Sequence, residues 1–289
     1  MQRQSPTVRQ RRLARELRRI REDSGLRTAE VARSLDWSVA KLSRIETGQI
    51  RAHWGDVADL LDHYRVGPAQ REALITLARE ARQRSWWSAY SDVLSNAYVG
   101  LEAEASSVWL WCPQLVPELL QVDDYAHAVL KVTHPTAGVE EQRRRIEALG
   151  LRRQNLERTP ALSVDAIVDE SVLCRVVDSA RTRQRQLEHL LSCGNRDNVR
   201  LRVLPFTVGA HAGIDGACTI LSFDNERDPD VVYVSSGETE VFLENGDEVA
   251  RHRRRMAAVA ATALEESETR ALIASYYESC TNPEPTERE

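Results

Sequence analysis

The stretch GLRTAEVARSLDWSVAKLSRIETG, residues 25–48, carries the clearest fold signal of the N-terminal part of the chain. The apolar positions of its first half predict a short helix over residues 28–35, with Thr28 as the N-cap. Asp36 and Trp37 then form a turn. The stretch therefore begins as a short helix that ends in a tight turn.

A second short helix follows the turn. Ser38 is its expected N-cap, and Thr47-Gly48 ends it just after Glu46. Leu42 and Ile45 point into the domain, whereas the small, polar and basic side chains beside them point outward. Two short helices joined by a tight turn, with such an outer face on the second, are typical of a helix-turn-helix that reads DNA.

Three more helices complete the predicted domain. Residues 8–24 form an Arg-rich amphipathic helix, residues 53–64 form another, and Gly67-Pro68 starts the last one. The sequence thus predicts a mainly α, five-helix domain over residues 1–84. An Arg-rich face is also common on helices that only meet solvent, so a plain helical bundle is the alternative interpretation.

The charge of the chain is divided unevenly. The 289 residues are 42% apolar and 29% charged, which is an ordinary globular composition with room for one or two domains. Residues 1–84 contain 18 basic and 11 acidic side chains, whereas the remainder has a net charge of −12. A basic N-terminal third joined to an acidic remainder favours a nucleic-acid-binding module attached to a domain with another task.

Residues 85–280 are predicted to form a larger α+β domain with a small, antiparallel sheet. Its first helix is expected to run from Leu101 to about Trp111, and residues 281–289, rich in Pro and Glu, are expected to be a disordered tail. The other expected helices are residues 123–132, 139–158, 171–177, 182–191, 246–265 and 268–279. The expected strands are residues 162–168, 199–204, 217–223, 231–234 and 241–243.

No pattern in the sequence indicates catalysis. The motifs of P-loop proteins, zinc proteases and serine hydrolases are missing, and the glycines of residues 209–216 do not fit the dinucleotide-binding spacing. The five cysteines and seven histidines are scattered, without a C-x-x-C pair. We therefore expect no enzyme activity, no cofactor and no metal.

The sequence also predicts where the protein works. Its N-terminus has no apolar segment of the kind found in secretory signals, and no apolar run approaches the roughly 18 residues of a membrane span. The expected location is the cytoplasm, with the protein at the nucleoid when it is bound to DNA.

The end of the quoted stretch carries the first resemblance. Ser-Arg-Ile-Glu-Thr-Gly at residues 43–48, with the upstream residues at the correct spacing, resembles the lambda-repressor/Cro-type helix-turn-helix of the XRE family. That family usually has a long polar residue where Thr28 stands and often glycine where Asp36 stands. The resemblance implies a homodimer on an inverted-repeat operator in double-stranded DNA. The DNA-contacting residues that it implies are Arg27, Thr28, Ser38, Val39, Ala40, Lys41, Ser43, Arg44, Thr47, Gln49 and Arg51.

A second resemblance covers the rest of the chain. The segments that carry it are residues 101–105, 115–128, 152–158, 168–177, 184–191, 199–223 (VRLRVLPFTVGAHAGIDGACTILSF) and 230–235. They are similar to the antitoxin-like C-terminal domain of actinobacterial regulators that include the WhiJ-like proteins. In this sequence Glu118 and Asp178 replace glycines of that pattern.

The second resemblance implies a sequence-specific transcriptional regulator whose C-terminal domain binds a small protein from a neighbouring gene. A regulator whose C-terminal domain senses a small molecule is the alternative. A third reading is an antitoxin that uses DNA binding only to regulate its own gene. Without the resemblances, composition and residue spacing predict only a DNA-binding domain joined to an acidic α+β domain.

Overall fold

The structure is a computed structural model, and it describes residues 8–82, 85–224, 228–237 and 239–281. The chain divides into two compact units, Met1–Glu104 and Ala105–Glu289. The sequence-based boundary lies after residue 84, whereas the first compact unit extends to Glu104. Residues 85–104 therefore pack with the N-terminal helices.

The first unit is helical throughout its described residues. The five helices predicted from the sequence are confirmed, and a 3-10 turn and one further helix follow them. Their bounds are α1 Val8–Asp23, α2 Thr28–Ser34, α3 Val39–Glu46, α4 Trp54–His63, α5 Pro68–Glu80, the turn Trp86–Tyr90 and α6 Asn96–Glu104. Fully buried Leu17, Val31, Leu42, Leu60 and Ala78 bring one side chain from each of the first five helices into a common core.

The start of α2 differs from the prediction. Arg27, with extended backbone angles, is the N-cap residue, and Thr28 is already the first residue of the helix. The backbone N–H of Arg27 donates to the Glu30 carboxylate at 2.9 Å. A Glu at the third helical position thus supplies the capping contact that the sequence assigned to the Thr28 hydroxyl.

Four of these helices end in the same way. After α1, α2, α3 and α4 the chain takes one residue with a positive φ, and two backbone N–H groups bond back to carbonyls of the last turn. This Schellman ending usually requires glycine, because a Cβ is strained in the left-handed region. Gly25 and Gly48 meet that requirement, whereas Asp36 and Arg65 both adopt φ of 54°.

The strain at the turn between α2 and α3 gives a first prediction. Asp36→Val is expected to lower the free energy of unfolding of the first unit by about 1–2 kcal/mol, because a β-branched residue fits poorly at positive φ. Asp36→Gly removes the Cβ and should be neutral or stabilising by up to about 1 kcal/mol. Urea unfolding of the two variants measures the difference, and equal stability would contradict the assignment of strain.

The second unit alternates strands and helices. Its strands are β1 Ser107–Cys112, β2 Ser163–Asp169, β3 Val199–Leu204, β4 Cys218–Ser222, β5 Val231–Ser236 and β6 Thr239–Leu243. Its helices are α7 Asp123–Thr133, α8 Val139–Arg153, α9 Ser171–Cys174, α10 Ala180–Cys193, α11 Gly246–Thr262 and α12 Glu266–Thr281, with 3-10 turns over residues 118–120, 154–156 and 206–208. Of the expected tail, Thr281 closes α12, and residues 282–289 lie outside the described residues.

The sheet is larger than predicted, and it is mixed. Its six strands lie in the order β3-β2-β1-β4-β5-β6. The first three are parallel to one another, and the last three join β1 through antiparallel pairs. The expectation of a small antiparallel sheet was therefore wrong. Helices carry the chain across between the parallel strands, as parallel pairs require.

The missing strand explains the error. The sequence prediction continued a helix from Leu101 to Trp111, but α6 ends at Glu104, and Ser107–Cys112 is the central strand β1. Parallel strands covered on both faces read as continuous apolar runs without alternation. SVWLWC is such a run, and periodicity alone does not separate it from a buried helix.

The β3 edge of the sheet is covered by the segment that leads into α12. At the β3 edge, the N–H of Leu264 donates to the Val203 carbonyl at 2.8 Å, and the Val203 N–H donates to the Thr269 hydroxyl at 3.0 Å. The start of α12 thus occupies that edge.

Among the described residues, no helix combines the length and apolar character needed to cross a membrane.

Candidate nucleic-acid interface

The outer face of α3 is open, as the sequence predicted. Val39 is 50% exposed, and Ala40, Ser43 and Arg44 are also exposed. On the other side of the helix, Leu42, Ile45 and Glu46 are buried. The Ser38 hydroxyl accepts a hydrogen bond from the Lys41 backbone N–H at 3.1 Å, so the predicted cap of this helix is confirmed.

The other predicted contact residues lie on the segments that flank α3. Arg27 is exposed and Thr28 is half-buried at the start of α2, while Thr47, Gln49 and Arg51 are exposed beyond the end of α3. In the described parts of the chain, Arg27 and Arg51 form no ion pair. Guanidinium groups placed in this way suit phosphate oxygens.

Two predicted side chains already have partners within the domain. The Arg44 Nε donates to the Ala40 carbonyl at 3.1 Å, which leaves the rest of its guanidinium to the solvent. The Thr47 hydroxyl donates to the Ser43 carbonyl at 2.8 Å. Contact with DNA through the Thr47 side chain would use its oxygen as an acceptor or break this bond.

The Lys41 ammonium contacts two side chains of its own unit. Its Nζ lies 2.7 Å from the Asp56 Oδ1 on α4 and 3.7 Å from the centroid of the Trp37 ring. Both side chains of the ion pair are about one-third exposed or less. The ammonium that the sequence assigned to DNA is therefore held by a carboxylate and an aromatic face of the same unit.

The end of α3 is anchored by a buried ion pair that the sequence interpretation missed. The Arg21 guanidinium donates to both carboxylate oxygens of Glu46, at 2.7 and 3.0 Å, and to the Leu26 carbonyl at 2.9 Å. These hydrogen bonds to the Glu46 carboxylate raise the pKa of Arg21. A signal was available, because Arg21 stands one turn after Leu17 on the apolar stripe of α1 and so faces inward.

Two more buried polar groups lie near this end of the helix. The Gln10 amide of α1 donates to the Gly48 carbonyl at 2.8 Å. Burial raises the pKa of the Tyr64 phenol, and the Glu46 carboxylate adds to the effect. The Gln10–Gly48 hydrogen bond and the Arg21–Glu46 ion pair thus fix the C-terminal end of α3 from within the domain.

The second unit offers one compact polar cluster. The Glu170 carboxylate accepts from the Tyr276 hydroxyl at 2.8 Å and from the Phe206 backbone N–H at 2.7 Å, and the Cys174 thiol donates to the Tyr276 oxygen at 3.2 Å. These contacts join α9, α12 and the segment after β3. In the described ranges, no three His, Cys, Asp or Glu side chains are grouped in a way that suits a metal ion.

The thiols at the middle of the sheet are held in their neutral form. Burial raises the pKa of Cys112 to about 12 and that of Cys218 to about 11. The thiolate is the nucleophilic form of cysteine, so both residues behave as packing groups at neutral pH.

Comparison with known protein families finds a match in each half of the chain, and the second match begins within the first unit, just before α6. A family model described as a helix-turn-helix domain matches residues 12–74, and a model described as a domain of unknown function, DUF5753, matches residues 95–275. Neither the comparison with curated proteins nor the comparison with solved structures gives a match. The DUF5753 match covers more than half of the chain, so this protein belongs to the DUF5753 family, with a helix-turn-helix domain ahead of the family domain.

Proposed function

We propose that the protein is a sequence-specific transcriptional regulator that reads DNA with α3. The observation that carries the proposal is the two-sided character of this helix within a helix-turn-helix domain: Leu42, Ile45 and Glu46 are buried, while the side chains opposite them are open. The basic charge of residues 1–84 supports it, because phosphate neutralisation supplies much of the affinity for DNA.

The exposed side chains suggest how the DNA is read. Val39 and Ala40 suit contact with thymine methyl groups, and Ser43 suits a hydrogen bond to a base edge. Arg27, Gln49 and Arg51 suit the phosphates on either side. We propose a homodimer on an inverted repeat, because one helix per chain gives a small interface and two-fold operators match two-fold proteins.

Arg44 is the side chain whose role is most sharply testable. We expect Arg44→Ala to weaken binding to a selected operator by about 1–3 kcal/mol if the guanidinium reads a base, with a smaller loss on scrambled DNA. If it binds phosphate, both duplexes lose similar affinity and the salt slope falls by about one. Fluorescence anisotropy with a duplex selected from a random pool, over a salt series, distinguishes the two.

The matched control for Arg44 is Arg82→Ala. Arg82 is exposed beyond the end of α5 and carries the same charge. Binding of the Arg44 variant that equals wild type on both duplexes would remove Arg44 from the interface. Wild-type binding without preference for the selected duplex over scrambled DNA would contradict the proposed function itself.

For the second unit we propose binding of a small partner protein. Two features support it: residues 105–289 carry a net charge of −9, which opposes contact with DNA, and Phe206 and Ile214 are 56% and 72% exposed. Expression with the product of a neighbouring small gene, followed by purification through the tagged regulator, tests the proposal. Recovery of the regulator alone, when the small protein is present in the lysate, would contradict it.

A small-molecule sensor is the alternative for this unit, and a ligand-dependent change in operator affinity would favour it. An antitoxin role would be favoured if the partner alone stops growth. We propose no catalytic activity, because the sequence contains none of the catalytic motifs named above.

A further inference from the structure

The two ends of α3 are attached to the domain in different ways. Leu42, Ile45 and Glu46, which are 0%, 2% and 7% exposed, fix its middle and its C-terminal end in the core. In the first turn, Val39 and Ala40 are exposed and contribute little to packing. The N-terminal residues of a recognition helix are those that meet the base edges. The end of the helix that has to be placed most accurately therefore has the fewest apolar contacts.

Lys41 supplies the missing attachment of the first turn. Its ammonium lies 2.7 Å from the Asp56 carboxylate in the first turn of α4 and 3.7 Å from the centroid of the Trp37 ring in the preceding turn. These three side chains connect the turn before α3, α3 itself and α4. A cation held at once by a carboxylate and an aromatic face has little freedom to reach a phosphate.

We infer that Lys41 is a positioning residue of the DNA-reading helix and not a DNA contact. In this role it fixes the tilt of the first turn of α3, and so the approach of Val39, Ala40 and Ser43 to the bases. Its charge is used within the protein, where it neutralises Asp56. The inference rests on the proposed function, and it revises the assignment of Lys41 that the resemblance implied.

Asp56→Asn separates the two roles by the sign of its effect. If Lys41 positions the helix, losing the ion pair loosens the first turn, and binding to the selected operator weakens by about fivefold, which corresponds to about 1 kcal/mol. Scrambled DNA loses little, and the salt slope is unchanged. If Lys41 contacts DNA, the substitution frees its ammonium, so binding to both duplexes tightens and the salt slope steepens by about one.

The experiment uses the full chain and a duplex that the wild-type protein has selected from a random pool, with a scrambled duplex as the reference. Anisotropy titrations at several salt concentrations give the preference between duplexes and the salt slope for wild type and Asp56→Asn. Asp59→Asn is the matched control, because Asp59 is an exposed carboxylate one turn further along α4. It should leave the preference unchanged.

Trp37→Phe provides a second test that keeps an aromatic ring in the turn. Phenylalanine binds a cation more weakly than tryptophan, so a smaller loss of preference with an unchanged slope is expected. Circular dichroism at the assay temperature verifies that each variant is folded. Loss of preference at constant slope in Asp56→Asn supports the inference, and any other result for that variant overturns it. A wild-type protein without preference would instead overturn the proposed function.

Discussion

Replacement of Glu46 by alanine is expected to destabilise the first unit by about 3–5 kcal/mol, because the buried Arg21 guanidinium loses its bidentate partner, and the exposed Glu22 carboxylate, 3.5 Å away, replaces it only in part. In the native unit the two side chains form a bidentate pair, and both are buried. The loss is a large fraction of the 5–15 kcal/mol that stabilises a typical domain. We expect part of the population to unfold near 37 °C, with loss of DNA binding.

The measurement for Glu46→Ala is hydrogen exchange followed by mass spectrometry on the full chain. It reports protection in α1 and α3 separately from protection in the sheet of the second unit. Protection should fall in the helices and remain in the sheet. A double variant, Arg21→Met with Glu46→Leu, is the control, because replacing both buried charges by apolar side chains is often nearly neutral. A loss below about 1 kcal/mol in Glu46→Ala would show that the pair does not hold α3.

Gly213→Ala is expected to have the largest effect on the second unit, at about 2–3 kcal/mol. Gly213 lies against the fully buried Trp111 of the central strand, whose indole N–H donates to the Gly213 carbonyl at 2.8 Å. A Cβ at this position would lie 2.6 Å from two atoms of the indole ring. Neither the large ring nor the bonded backbone has room to move, so the core must repack.

Urea unfolding of Gly213→Ala, combined with exchange protection in β1, measures the effect. Gly194→Ala is the control, because its added Cβ would meet neighbours only at 3.7 Å and beyond, and its φ of −66° is ordinary. That variant should be within about 0.5 kcal/mol of wild type or slightly more stable. Equal stability of both variants would mean that the loop near Gly213 separates easily from Trp111.

The first five helices were predictable from the sequence because their signals are local. Helical periodicity and cap residues placed all five helices to within a few residues, and Gly25 and Gly48 marked two of the four helix ends. The same periodicity predicted which side of α3 is buried. For a short helix between two turns, every one of these features depends on residues fewer than ten positions away.

The central strand β1 and the partners of two charged side chains depend on long-range contacts. Residues 107–112 become a strand by pairing with Ser163–Val168, more than fifty residues later, and a strand covered on both faces carries no alternating pattern to reveal it. Glu46 and Lys41 appear in the sequence as two polar residues of one short helix. Glu46 pairs with Arg21 of α1, and Lys41 pairs with Asp56 of α4. These partners are brought together only when the helices pack. A buried charge needs a neutralising partner, so the partner determines where each side chain lies.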